Sequence, residues 1–311
     1  MTGSSGVLGQ HILAQLLKEP DTQIMAIHRH ETQIPPWAPA VRREGVDFSD
    51  RKALAALFAE FKPTSVIHCA ASGMIFPQVE WFDLMRFNVE ATLLLFEVAS
   101  RHPGCHFLHV STGLAYRVTG EPLTERDAVE NTHPYGASKA AADLLLRSAA
   151  VTFGVPLTVF RPFSFTGPGD NKTRLFPSLL RAATERHPLA LTTGEQMRDF
   201  CSARDIARAI VMALDRIPDA KVPAIFNLGS GRSHALRQLI ERVVEELALP
   251  VQLNFGARPC GSFEPAHLVA NIARAGQELG WQPRHNLAHA VWQLSQSSFP
   301  DLNLKEPREA I

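Results

Sequence analysis

A chain of 311 residues, 45% hydrophobic and 20% charged, can bury a sizeable core as one large domain or as one domain with a smaller lobe. Lys+Arg and Asp+Glu balance at 31 each, which leaves no bulk field to draw in nucleic acid or an anionic membrane, and no apolar run approaches the ~20 residues of a spanning helix. Cys69, Cys105, Cys201 and Cys260 are widely spaced and form no C-x-x-C, so they read as reduced thiols; with no basic-plus-apolar leader, a cytoplasmic protein is expected.

The chain opens on Thr2-Gly3-Ser4-Ser5-Gly6-Val7-Leu8-Gly9. Gly3 permits a tight turn, Gly6 lets the backbone approach a pyrophosphate, and Gly9 lets the next helix pack closely. Backbone N–H groups from Ser5 to Gly9 and the helix dipole then meet negative charge, so Gly3, Ser5, Gly6, Val7, Leu8 and Gly9 are expected to hold a dinucleotide. A buried strand ought to precede such a turn, and only Met1 stands there. The first strand is therefore expected to be missing from the chain start.

A helix is predicted over 10–18, a strand over 23–27 and a helix over 52–61. The second strand ends on Ile27-His28-Arg29-His30. No carboxylate is there to accept from a ribose 2′-hydroxyl, whereas Arg29 can grip a 2′-phosphate, so NADP is favoured over NAD. Asp47 and Phe48 end the next short strand; Asp47 either accepts from the adenine amine or caps the helix near Ser49. A strand over 65–70 (SVIHCA) leads to Ala70 and Ala71, on the cofactor side. A helix over 89–100, opened by Asn88 as a cap or proton relay, is apolar almost all round. A strand over 106–111 (HFLHVS), a helix over 138–153 and a strand over 156–160 complete the alternation. Strands alternating with helices imply parallel pairing and right-handed crossovers, an α/β fold with a Rossmann-type doubly wound sheet, whose ligands gather at the carboxyl ends of the strands.

After Arg161 the alternation fades into the loop SFTGPGDNKT, residues 164–173. A helix over 203–214 and a strand over 224–228 rejoin the sheet, whereas helices over 236–248 and 271–279 read as a lid. The chain thus divides into a dinucleotide-binding domain, residues 1–165 with 201–230 returning to it, and a smaller substrate lobe, residues 166–200 and 231–311.

The chemistry centres on Tyr135-Gly136-Ala137-Ser138-Lys139. A phenol titrates near 10 and is no base at neutral pH, but a nearby ammonium lowers that value, and a spacing of four puts both side chains on one helix face. Ser111 and Thr112, at the end of HFLHVS, can bring a hydroxyl to the same spot. Thirteen histidines are present, yet no H-x-x-x-H or H-E-x-x-H places two on a helix face with a third ligand evident, so no metal site is expected; His68, His106 and His109 read as core groups. Asp205 reads equally as a capping residue and a ligand contact.

These residues in this order resemble the extended short-chain dehydrogenase/reductase family, the NAD(P)-dependent sugar epimerase and dehydratase group. The likeness rests on TGxxGxxG, VIHCAAS, Asn88-Val89, VSTGLAY, PYGASK, FRPFSFTGPG, RDFCSARDIARAI, FNLGSG and LGWQP. It implies that Tyr135 is the general acid/base, that Lys139 orients the cofactor ribose, and that Thr112 holds the reacting oxygen. It further implies that Arg198 and Arg258 meet the diphosphate of a nucleotide sugar, with Ser164 where many epimerases carry an Asn. Where the dehydratases carry Asp-Glu this chain has Gly113-Leu114, so an epimerase or ketoreductase is expected. Members often pair through the helices at 89–100 and 140–151, which implies a homodimer. A reductase of a non-sugar hydroxy compound, or a non-catalytic NADP-binding sensor or scaffold, is the alternative.

Overall fold

The computed structural model describes residues 1–29, 40–73, 80–130, 133–261 and 263–307. The amino-terminal half alternates as read: α1 (Val7–Leu16), β1 (Met25–His28), β2 (Arg42–Gly45), α2 (Arg51–Phe61), β3 (Ser65–His68), α3 (Trp81–Leu84), α4 (Ala91–Ala99), β4 (His106–Val110), α5 (Pro134–Phe153) and β5 (Leu157–Pro162). Then come β6 (Ser164–Thr166), α6 (Leu175–Glu185), β7 (Leu189–Leu191), β8 (Met197–Arg198), β9 (Phe200–Ser202), α7 (Ala203–Met212) and β10 (Ala224–Leu228). The chain finishes with β11 (His234–Ala235), α8 (Leu236–Glu246), β12 (Leu253–Phe255), β13 (His267–Leu268), α9 (Ala273–Leu279) and α10 (Leu287–Ser298).

Parallel pairing runs β10-β5-β4-β3 on one side and β1-β2 on the other. Met1 and Thr2 join the two halves. Thr2 bridges in parallel to both Ile27 and His68, Thr2 N donates to Ile67 O at 2.9 Å, and Ile27 N donates to Met1 O at 2.8 Å. The central strand is thus present as two residues. Behind them β1 and β3 face one another across an open cavity of about 570 Å³, lined by Met1, Ile24, Met25, Ser65 and Ile67 among others. The Met1 ammonium donates to Met25 O at 2.5 Å, and burial pulls it down to about 5.

Apolar faces of the helices close on both sides of the sheet. Leu8, Ile12 and Leu13 of α1 pack with Ile206 and Ile210 of α7 on one face. Leu54, Phe58, Leu95, Phe96 and Leu146 cover the other. A separate core joins α6, α8 and α10 through Leu179, Leu180, Ile240, Val243, Val291 and Leu294. The helix predicted over 271–279 packs elsewhere: Ala275, Leu279 and Trp281 sit in the α1–α7 layer, pinned by Trp281 Nε1 donating to Asp205 O. Asp205 has a structural role, its Oδ2 accepting from the backbone of Arg284 and His285 and from the His285 ring.

Two other local expectations change. The helix predicted to start at Asn88 begins at Trp81 and runs through a π-helical segment, Met85–Glu90, into α4; Asn88 lies inside it and caps nothing. The cap of α2 is Asp50, which accepts from Ala53 N, whereas Asp47 Oδ1 accepts from Ser49 N and Oγ. Among the described residues no helix is long and apolar enough to cross a membrane.

Candidate active site

The glycine turn follows Thr2 at the carboxyl end of the sheet. Gly3 has φ +71°, and a Cβ there would lie 2.5 Å from Ala70 N; a Cβ on Gly9 would lie 1.9 Å from Gly3 O. Both glycines are required by the protein's own packing. At Gly6 an added Cβ would meet only Gly3 O, at 3.4 Å, so the space above Gly6 is open to a ligand. This is the fit a pyrophosphate needs: bare backbone at the head of a ten-residue helix with no acidic residue in its first turn.

A cavity of about 180 Å³ opens there, and it brings together Gly3, Ser5, Gly6, Arg29, Phe48, Ala70 and Ala71. Ser4, His28, His68, Cys69, Ser72 and Phe87 also line it. These six are not singled out by the sequence pattern as cofactor contacts, although each lies within a few residues of a strand end or of Asn88. Arg29 lies over the Phe87 ring at 5.6 Å; His30 falls outside the described residues. Leu8 points into the core, so only its backbone serves the turn. Asp47 is exposed and does not line the cavity. Asn88 sits behind the wall, with Oδ1 accepting from Ser72 N and Nδ2 donating to Ser72 O and Ser138 Oγ. It ties the loop after β3 to the first turns of α5.

Tyr135 and Lys139 stand on the buried face of α5. Thr112 leaves β4 in extended backbone, and its Oγ1 accepts from Leu114 N at 3.2 Å, turning residues Gly113–Ala115 into a 3₁₀ turn. A Cβ on Gly136 would lie 2.2 Å from Leu114 O, so glycine beside Tyr135 lets this turn press onto α5. Ser111, in the same segment, is buried.

The electrostatics differ from the simple picture of an ammonium lowering a phenol. Burial raises the Tyr135 phenol, Cys69 and Asp143 add to the rise, and Arg174 opposes it. Lys139 turns instead to His109, Nζ to Nε2 3.4 Å; burial pulls its ammonium down to about 8, with Asp143 pulling the other way. Tyr135 thus feels Cys69 of the first cavity and Arg174, which lies between Thr173 and Leu175 of a second.

That second cavity, of about 330 Å³, gathers Ser164, Arg198 and Arg258, the three residues expected at a sugar diphosphate. Gln196 and Glu264 also line it, unforeseen from sequence, and Glu264 Oε1 accepts from Arg198 Nη2 at 2.8 Å. Ser262, in the segment carrying Arg258, is outside the described residues. Beneath the cavity Asp199 accepts from the backbone N–H groups of Ser230, Gly231 and Ala270, a tie within the fold.

Comparison with known proteins agrees with this layout. Residues 1–229 match the model of the NAD dependent epimerase/dehydratase family. The chain is 30% identical to a UDP-glucose 4-epimerase of Corynebacterium glutamicum over 311 residues, covering 92% of this chain and 90% of that protein. Its fold is similar to the UDP-glucose 4-epimerase of Thermotoga maritima solved with UDP-glucose, with TM-score 0.86, 21% identity and coverage of 97% and 98% of the two chains. It is also similar to the UDP-glucose 4-epimerase of Thermus thermophilus solved with NAD, with TM-score 0.81, 22% identity and coverage of 95% and 97%. A doubly wound sheet headed by a bare glycine turn, and a family match that spans it, lead to one conclusion: this chain belongs to the NAD-dependent epimerase/dehydratase family.

Proposed function

We propose that the protein interconverts epimers of a nucleoside-diphosphate sugar by reversible hydride transfer at a carbinol carbon. One observation carries the reading: a cavity headed by the bare glycine turn and a second cavity holding Ser164, Arg198 and Arg258 occur in one fold, with Tyr135 buried on α5. The nicotinamide ring, when bound, supplies the hydride acceptor and donor. The turn from Gly3 to Gly9 is the seat of its pyrophosphate, and Lys139 is the group for its ribose. Tyr135, held neutral by burial, gives its proton to the forming alkoxide and recovers it in the opposite direction. Thr112 holds the same oxygen. Arg198 and Arg258 anchor the diphosphate as paired cations.

Elimination of water lacks its acid and base. Gly113 has no room for a side chain, since a Cβ would lie 2.9 Å from the Phe163 ring, and Leu114 packs with the cluster around Tyr116 and Phe163. Arg29, with no carboxylate beside it among the described residues at the end of β1, favours NADP over NAD. The described parts of residues 166–200 and 231–307, apart from α9, supply the substrate wall. The exposed apolar residues of α3 and α5, Trp81, Phe82, Leu144 and Leu145 among them, support a homodimer; balanced charge and free cysteines suit the cytoplasm.

The test is a titration with NADH and NADPH by nicotinamide fluorescence, followed by conversion of UDP-glucose and UDP-galactose. Tyr135→Phe is expected to bind cofactor normally and to lose turnover by roughly 10²- to 10⁴-fold. Near-normal turnover in that variant would refute the assignment.

A further inference from the structure

Beneath Lys139 lies a group of charges that hydride transfer does not itself use. Lys139, Asp143, Arg161 and His109 are all fully buried. Asp143 is one helical turn beyond Lys139 on α5, and its Oδ2 accepts from Arg161 Nε of β5 at 3.0 Å. Its Oδ1 lies 3.5 Å from His109 Nε2 of β4, the atom that also lies 3.4 Å from Lys139 Nζ. His68 of β3 stacks on His109 at 5.6 Å and is itself tied to Thr2 and Thr92. The groups acting on Lys139 are Asp143 from its own helix, His68 and Cys69 from β3 and its exit, and His109 from β4; Ser111 and Arg161 act on Asp143 in turn, and Tyr135 shares the buried face of α5.

A buried ammonium loses its proton unless a negative charge is near. Of those neighbours, His68 and His109 are kept neutral by burial, Cys69 is raised to about 11, and Arg161 is itself a cation. Among these described neighbours Asp143 is the one carboxylate. A neutral imidazole has one protonated and one bare nitrogen; with Nε2 bare, His109 accepts from Lys139 and stands between it and Asp143 Oδ1, whose charge acts on the ammonium across the ring.

We propose that Asp143, acting through His109, is the positioning residue that keeps Lys139 charged and aimed at the cofactor ribose. Arg161 in turn fixes the Asp143 carboxylate from the next strand. This rests on the reading of Lys139 as the ribose contact, but it concerns the lysine's charge and is measurable without any sugar.

The experiment follows NADH affinity from about pH 6 to about pH 10 by nicotinamide fluorescence, alongside turnover of UDP-glucose. In the parent protein affinity falls on the alkaline side as Lys139 loses its proton, near its value of about 8. Asp143→Asn is expected to move this limb toward acid by roughly one pH unit or more, a tenfold change in proton affinity. Because that variant leaves Arg161 without its partner, His109→Phe is the second probe. It keeps the Asp143–Arg161 pair and is expected to shift the limb in the same direction. An unmoved limb in either folded variant overturns the inference, since a purely structural pair would lower the melting temperature and leave the titration alone. A shifted NADH limb with no sugar turned over leaves the inference standing and removes the substrate reading. A parent protein that binds neither NADH nor NADPH overturns both.

Discussion

Glu264 occupies the Arg198 guanidinium, Nη2 to Oε1 2.8 Å, and holds Gln196 Nε2 at 3.3 Å as well. Arg198 is the buried one of the two arginines lining the substrate cavity, so a carboxylate already sits where a diphosphate would be received. Ligand and Glu264 then compete for one cation. Glu264→Gln keeps the shape and removes the charge, and UDP is expected to bind roughly three- to tenfold more tightly by calorimetry. Equal or weaker binding would mean that Glu264 is a ligand contact and not a competitor.

Acid stability is governed by buried imidazoles. Burial holds His68 at about 3 and His106 at about 4, and pulls His109 well down. Their folded values lie below the unfolded value of about 6.5, so the stability they contribute is present above that pH and is lost as pH falls through it. At pH 5 His68 and His106 each cost about 2 kcal/mol. Asp143 and Asp199, whose carboxyls burial raises, take up protons early in the native state and offset part of this. Melting temperature is expected to drop steeply between about pH 6.5 and about pH 5; a flat profile there would contradict the burial of these rings.

Leu144 and Leu145 are 53% and 46% exposed on α5, which touches α3, where Trp81 and Phe82 are exposed as well. Leu145→Asp is expected to shift sedimentation from dimer to monomer while changing the monomer's own stability by only about 0.5 kcal/mol. A parent protein that already sediments as a monomer would remove the dimer proposal.

Much of the layout is legible in the sequence because it rests on period and punctuation. QHILAQLLK, SVIHCA, HFLHVS and AIFNL fall within a few residues of α1, β3, β4 and β10, and the turn glycines are needed where the backbone comes closest. The short strands β6 to β9 and β11 to β13 leave no such trace, since two or three residues carry no periodicity. The helix over 271–279 belongs to a different layer from the one its position in the chain suggests, because its attachment, Trp281 on Asp205, joins residues 76 apart in sequence. At the site, spacing places Tyr135 and Lys139 on one face, but it does not show that the amine turns to His109. That depends on which strand crosses beneath, and only the assembled sheet decides it.

Gly136 also limits how the site can change. With no space for even a methyl between its Cα and the Leu114 carbonyl, the phenol-bearing turn and the threonine-bearing turn form a single rigid floor. Laboratory evolution toward new substrates has its latitude in the far wall, at Leu189, Leu191 and Phe255, whose strands pair through their backbones and line the second cavity. Libraries that randomise position 136 would return mostly dead clones, however well their pockets fit the new sugar.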